Sequence, residues 1–162
     1  MGHVVTQDEL ILHVAEHKRN GQRVVFTNGC FDLLHPGHIR GFEQARALGD
    51  VLIVAINSDS SVKFLKGNDR PIIPQNERAE ILAALAAVDY VVIFDDLTAE
   101  GLLRDLRPHV QCKGTDYTED SVPERAVMDA LGGVVRIVGD PKAHSTREIL
   151  TEIIQRMSNR RS

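Results

Sequence analysis

The sequence predicts an α/β fold: a Rossmann-like open, mostly parallel sheet of five strands with helices on both faces. Three observations point there. Apolar runs of strand length, such as 51–56 and 90–94, recur between stretches with helical spacing. Those runs are apolar throughout instead of alternating, the pattern of strands covered on both faces. The chain's 162 residues, 43% hydrophobic and 26% charged, suffice for one domain with its own core.

Taken in order, Leu10, Ile11, Val14 and Ala15 mark one face of a helix over 7–20, with Gly21 placed to stop it. Residues 23–27 read as a buried strand and 28–32 as a loop. Pro36 opens a helix to Leu48, since its missing N–H would have no partner at a first helical position. A second strand over 51–56 is closed by Asn57, Ser58 and Asp59, which offer caps to a short helix through Val62 and Leu65. Residues 66–71 form a loop by composition. Helical spacing resumes over 75–88 at Ala79, Leu82, Leu85 and Ala86, and 90–94 is the third strand. A helix through Leu102, Leu103 and Leu106 ends at Pro108, and 109–112 is a short fourth strand. A helix over 122–131 stops at Gly132 and Gly133, 134–138 is the fifth strand, and Ser145 begins the last helix. The whole of 1–162 reads as a single domain, with an N-terminal helical extension (1–21), a core (22–155) and a basic tail (156–162).

Composition excludes several classes. A formal charge of −4 gives no general attraction to nucleic acid or an anionic membrane, and the basic tail favourably opposes the dipole of its helix. No apolar run approaches the ~20 residues of a membrane span. Two cysteines, Cys30 and Cys112, make no disulfide framework, so a reducing cytoplasm is expected. The N-terminus lacks the order of a signal peptide; residues 1–6 match the short, permissive myristoylation pattern.

In an open α/β sheet, ligands bind beyond the carboxyl ends of the strands. After the first strand the chain reads Thr27, Asn28, Gly29, Cys30, Phe31, Asp32, Leu33, Leu34, His35, Pro36, Gly37, His38. Two histidines at the mouth of a helix add ring donors to the unpaired N–H groups and positive dipole of that terminus, a corner suited to a polyphosphate. Gly29 and Gly37 would let backbone approach a ligand. His35 and His38 also have a possible zinc spacing, but no third ligand stands out.

The His35-Pro36-Gly37-His38 segment resembles the HxGH signature of the cytidylyltransferase-like nucleotidyltransferases, and its surroundings resemble the ADP-heptose synthase adenylyltransferases. Further matches occur in that family's order: 54–59, Lys66-Gly67 with Arg70-Pro71, Glu77-Arg78, 88–92, 113–117 and Ser145-Thr146. Together they cover about residues 22–155.

The resemblance implies direct displacement: a substrate phosphate oxygen attacks the α-phosphorus of a nucleoside triphosphate and pyrophosphate leaves. It implies ATP and D-glycero-D-manno-heptose 1-phosphate as substrates. The alternative is CTP with glycerol 3-phosphate or another small phosphorylated or phosphonate acceptor. By the same likeness, His35, His38 and Lys66 are catalytic, stabilising charge on the transferring phosphate. Thr27, Asn28, Gly29, Phe31, Gly37, His38, Arg78, Lys113, Gly114, Asp116, Ser145 and Thr146 bind nucleotide, and Asp32, Asn57, Lys66 and Arg70 bind the sugar phosphate. Mg²⁺ is implied as cofactor, held mainly by the nucleotide phosphates, with no dedicated protein metal site. A homodimer is implied, with neither nucleic acid nor membrane as partner. A sugar kinase domain is often fused to such adenylyltransferases, so this chain reads as a freestanding version or one with another substrate.

Simpler roles stand beside these. Arg78 could pair with Glu80, Lys63 could be solvated, and Asp59 could cap its helix. Residues 113–117, Tyr117 included, could be a plain turn, and Ser145 a plain N-cap. Asp32 could orient a sugar hydroxyl, an amine or a metal-bound water. The family's usual second Thr after Ser-Thr is replaced by Arg147, beside His144, which could add a phosphate contact or pair with Glu148 or Glu152. A dinucleotide oxidoreductase would need G-x-G-x-x-G in the first turn, which is absent. A non-catalytic nucleotide sensor would not need His35, His38, Lys66 and Arg78 together.

Overall fold

A computed structural model of the chain describes residues 1–140 and 145–159. His144 and the end of the tail, residues 160–162, lie outside the described residues. The elements run β1 (His3–Val4), α1 (Gln7–Arg19), β2 (Val24–Gly29), α2 (Pro36–Arg46), β3 (Val51–Asn57), α3 (Asp59–Lys66) and α4 (Gln75–Ala83). They continue with β4 (Tyr90–Phe94), α5 (Glu100–Leu106), β5 (Val110–Gly114), a 3₁₀ turn (Glu119–Ser121), α6 (Arg125–Ala130), β6 (Val134–Val138) and α7 (Thr146–Ser158). The described strands form one sheet in the order β1-β4-β3-β2-β5-β6, and every pairing is parallel.

The sheet therefore has six strands where five are expected. The additional strand, β1, lies within the segment expected to be a helical extension, and its two residues are too few to show any periodicity. Its place comes from long-range backbone pairing. Gly2 N–H donates to Ala83 O at 2.7 Å, His3 N–H to Asp89 O at 2.9 Å and Val5 N–H to Val91 O at 3.0 Å. A Cβ at Gly2 would sit 2.5 Å from Val88 O, so only glycine permits this approach. β1 covers the β4 edge, and α1 delivers Leu10 and Val14 to the core.

Other boundaries move for local reasons. β2 extends through Asn28 and Gly29, which pair with Ala55 and Ile56, so the predicted loop begins two residues later. α4 ends at Ala83 because residues 84–88 tighten into three-residue turns, although their apolar spacing continues. α6 starts only at Arg125, preceded by the 3₁₀ turn and an extended Val122.

The two faces of the sheet carry separate cores. Val24, Phe26, Ile53, Ala55 and Val92 pack with α1, α5 and α6; Val25, Leu52, Val54, Ile56 and Val91 pack with α2 and α4. This alternation is the period-two pleat of each strand read against two apolar layers. From β2 the chain builds outward through β3 to β4, then returns past β2 to β5 and β6. The strand order reverses between β2 and β5, so a crevice opens at their carboxyl ends.

Candidate active site

The α2 N-terminus stands at that crevice. His35 is its N-cap with extended backbone (φ −141°, ψ 166°), and Pro36 occupies the first turn. The His35 and His38 rings lie 3.9 Å apart between centroids. His35 N–H donates to His38 Nδ1 at 3.4 Å, which leaves the proton of neutral His38 on Nε2. Burial, together with the nearby His35 ring, pushes the His38 pKa down to about 4. At neutral pH, His38 is thus an uncharged Nε2–H donor with a fixed tautomer. Phe31 sets the orientation of that ring, meeting His38 edge-on at 5.5 Å and Phe42 at 5.1 Å.

Gly29 and Gly37 make room for the chain's own rings. A Cβ at Gly29 would lie 3.1 Å from the Phe31 ring, and one at Gly37 would lie 3.0 Å from the His35 ring. Around Gly114, by contrast, space is open.

Two predicted substrate ligands turn inward. Asp32 is buried and accepts from the backbone N–H groups of Ile72 and Ile73 at 2.9 Å, while its carboxylate pairs with Arg70. Those bonds outweigh desolvation and hold its pKa below the ordinary value. Asp32 therefore clasps the 70–73 loop, and Arg70 is engaged in the same clasp. Asn57 is also buried, donating to Ser61 Oγ at 3.0 Å and Asp96 O at 3.4 Å.

Arg78, expected at a phosphate, has a side chain with 0% exposure. Its guanidinium donates to Cys30 O, to Ile73 O at 2.9 Å and to Asp59 Oδ1 at 2.8 Å. It joins the loop after β2, the start of α3 and the loop before α4, pairing with Asp59 instead of Glu80. Ser58 caps α3, its Oγ accepting from Ser61 N–H. Lys66 ends α3 in an exposed position, where its charge helps lower the Cys30 pKa against the larger effect of burial.

A second polar group occupies the other face of the same crevice. Lys113 Nζ lies 3.3 Å from Asn28 Oδ1, 3.6 Å from Glu124 Oε2 and 5.2 Å from the Tyr117 ring centroid. Asn28 Nδ2 donates to Glu124 Oε1 at 3.3 Å, and Gln111 Nε2 donates to Asn28 Oδ1 at 3.3 Å. Thr27 faces away, donating to Cys112 O at 3.0 Å. Gly114, the last residue of β5, and Asp116 beyond it are exposed. Gln111 and Glu124 escaped sequence reading: a buried Gln inside an apolar strand was a signal, whereas Glu124 after a proline resembled an ordinary helix start.

α7 closes on the signature loop through Thr146, whose Oγ1 donates to Leu33 O at 3.1 Å. Ser145 and Glu148 form a reciprocal cap, with Glu148 N–H donating to Ser145 Oγ at 3.2 Å and Ser145 N–H to Glu148 Oε2 at 2.7 Å. Glu152 pairs with Arg156. Among the described residues, no group of three His, Cys, Asp or Glu side chains is placed to hold a metal ion.

A paired-histidine helix terminus at the switch of a parallel sheet matches a known domain: the Cytidylyltransferase-like family profile covers residues 26–157, from β2 into α7. The chain belongs to the cytidylyltransferase-like family. It is 52% identical over 147 residues to the Bifunctional protein HldE of Koribacter versatilis, covering 91% of this chain and 30% of that protein. The protein of the same name from Geobacter sulfurreducens is 50% identical over 142 residues, covering 88% and 29%. That from Pelobacter propionicus is 45% identical over 155 residues, covering 96% and 32%. The chain thus spans about a third of these curated relatives. Among solved structures, the lipopolysaccharide core biosynthesis protein from Thermoplasma volcanium GSS1 matches with a TM-score of 0.64 and 26% identity, covering 75% of this chain and 100% of that one. In this cytidylyltransferase-like domain, β1 and all of α1 precede the segment matched by the family profile.

Proposed function

We propose that this chain transfers an adenylyl group from ATP to a sugar 1-phosphate, D-glycero-D-manno-heptose 1-phosphate, and releases pyrophosphate. The observation that carries the reading is the His35–His38 pair at the α2 N-terminus, with His38 held as an Nε2–H donor. The reaction is an in-line displacement. A phosphate oxygen of the acceptor forms a bond to Pα, and the bond from Pα to the bridging oxygen of the β-phosphate breaks. No covalent enzyme intermediate is required, so the protein's task is alignment and charge stabilisation. His38 Nε2–H and the N–H groups of the α2 terminus face the charge developing on the α- and β-phosphates, and Lys66 adds an exposed cation from the end of α3. Lys113 and Asn28 hold the nucleoside side of the crevice. A Mg²⁺ ion carried by the triphosphate would supply charge neutralisation at the reacting phosphates. The choice of a heptose is supported by the similarity to the HldE proteins and to the solved lipopolysaccharide core biosynthesis protein.

In the same reading the protein is a homodimer. α7 exposes Ile153, Ile154 and Met157, apolar surface suited to a second copy. Light scattering near 18.0 kDa instead of twice that mass would refute this. The free thiols of Cys30 and Cys112 suit the reducing cytoplasm, and no described helix is long and apolar enough to cross a membrane.

A substrate grid tests the function. ATP, CTP, GTP and UTP are each paired with heptose 1-phosphate and with glycerol 3-phosphate in the presence of Mg²⁺, and pyrophosphate is followed. ATP with heptose 1-phosphate should turn over fastest. Faster turnover with CTP, or turnover only with glycerol 3-phosphate, would reject the assignment.

A further inference from the structure

We propose that Glu124 is a positioning residue for the transfer reaction: its buried carboxylate holds the Lys113 ammonium and the Asn28 amide at the β2–β5 crevice where the nucleotide binds. The inference rests on the adenylyltransfer reading above. Glu124 precedes α6 and is 3% exposed, yet it reaches three separate parts of the carboxyl edge. Oε1 accepts from Asn28 Nδ2 at the end of β2 and from Ala99 N–H before α5, at 3.5 Å. Oε2 lies 3.6 Å from Lys113 Nζ on β5 and has no hydrogen-bond partner. A buried carboxylate with an oxygen left over is costly unless a cation answers it, and Lys113, itself only 8% exposed, supplies that charge.

The pairing has a consequence for Lys113. Burial lowers its pKa, and Glu124 is the largest opposing influence. Cys30 faces the same amine from the loop after β2, and Tyr117 from the loop after β5, where Asp116 also acts on that phenol. Glu124 lies within salt-bridge reach of the amine, at 3.6 Å. Without it, the amine would keep its desolvation cost, lose its counter-charge and give up its proton at lower pH.

The test compares wild type, Glu124→Gln, Lys113→Met and the double variant. Glutamine preserves the shape and an oxygen for Asn28 while removing the charge. ATP affinity is measured by calorimetry from pH 6 to 10, kcat and KM are measured over the same range, and Lys113 is titrated by NMR of its ¹³Cε in the ligand-free protein. In Glu124→Gln, the Lys113 midpoint should fall by at least about one pH unit. ATP binding should weaken about tenfold, as for the loss of one charge-assisted hydrogen bond, with KM rising more than kcat falls. In the Lys113→Met background the same substitution should change affinity less than twofold. An unchanged Lys113 midpoint, or effects of the two substitutions that multiply fully, would overturn the proposal. If wild type neither binds nor turns over ATP, the functional reading fails and the proposal falls with it. If wild type does both while Glu124→Gln titrates and binds like wild type, the proposal alone fails.

Discussion

His38 gives the sharpest test of the catalytic geometry, because its tautomer, its charge and its role are linked. Its pKa drops from 6.5 to about 4 on folding. A shift of that size corresponds to ~3 kcal/mol, and solvent screening of the partly exposed ring reduces this to about 2 kcal/mol. The unfolded chain takes up a proton as pH falls through 6.5, whereas the folded chain resists until about 4. Stability is therefore lost between those values as pH falls, and His38 contributes nothing further below them. Protonation would also set a ring N–H against the His35 N–H that Nδ1 now accepts. Urea unfolding of wild type and His38→Gln at pH 7 and pH 4.5 isolates this contribution, since the other histidines are common to both. Wild type should lose about 2 kcal/mol more than the variant over that range. In parallel, His38→Ala should lower turnover by at least about 100-fold while remaining folded, the usual effect of removing one preorganised donor. Equal acid sensitivity of wild type and His38→Gln would refute the neutral, buried ring. Near-normal turnover in a folded His38→Ala would refute its role.

Two further outcomes follow from the buried charges. Arg78→Met should destabilise the chain by about 3 kcal/mol in urea unfolding at pH 7, because two loops and the start of α3 lose a shared donor and Asp59 loses its ion-pair partner; an effect below half that size would mean these segments hold without it. Asp32 has a pKa below its ordinary value, so the stability it contributes is present above the unfolded carboxylate pKa and is lost as pH falls through the folded one. Asp32→Asn should thus unfold more readily than wild type at pH 7, with the gap narrowing as pH falls below the ordinary carboxylate range; a gap that does not narrow would point to packing instead of charge.

Much of the fold was legible because its signals are local. Residues 51–56 are apolar throughout and all buried, and Pro36 marks a helix start within one residue. β1 was not legible: two residues carry no period, and only the exposed edge of β4 gives them a partner. The site divides in the same way. The residues of the HxGH segment were readable as chemistry because a helix terminus after a strand has a known direction and dipole.

The targets of the charged residues were decided by tertiary packing. Arg78 and Asp32 look like ligands of phosphate and sugar in the sequence, yet Arg78 binds Cys30 O, Ile73 O and Asp59, and Asp32 binds Arg70 and two backbone N–H groups. Glu124 looked like an ordinary helix start and became the buried counter-charge of Lys113, whose sequence position is 11 residues earlier. Sequence by itself thus determined the types of the main elements from α1 onward, the two-layer cover of the sheet and the paired histidines, all of which follow from periodicity and chain direction. Only the tertiary structure decided which charges face the crevice and which brace its walls. A buried charge takes the nearest partner in space, and that partner comes from segments brought together by the sheet rather than by the chain.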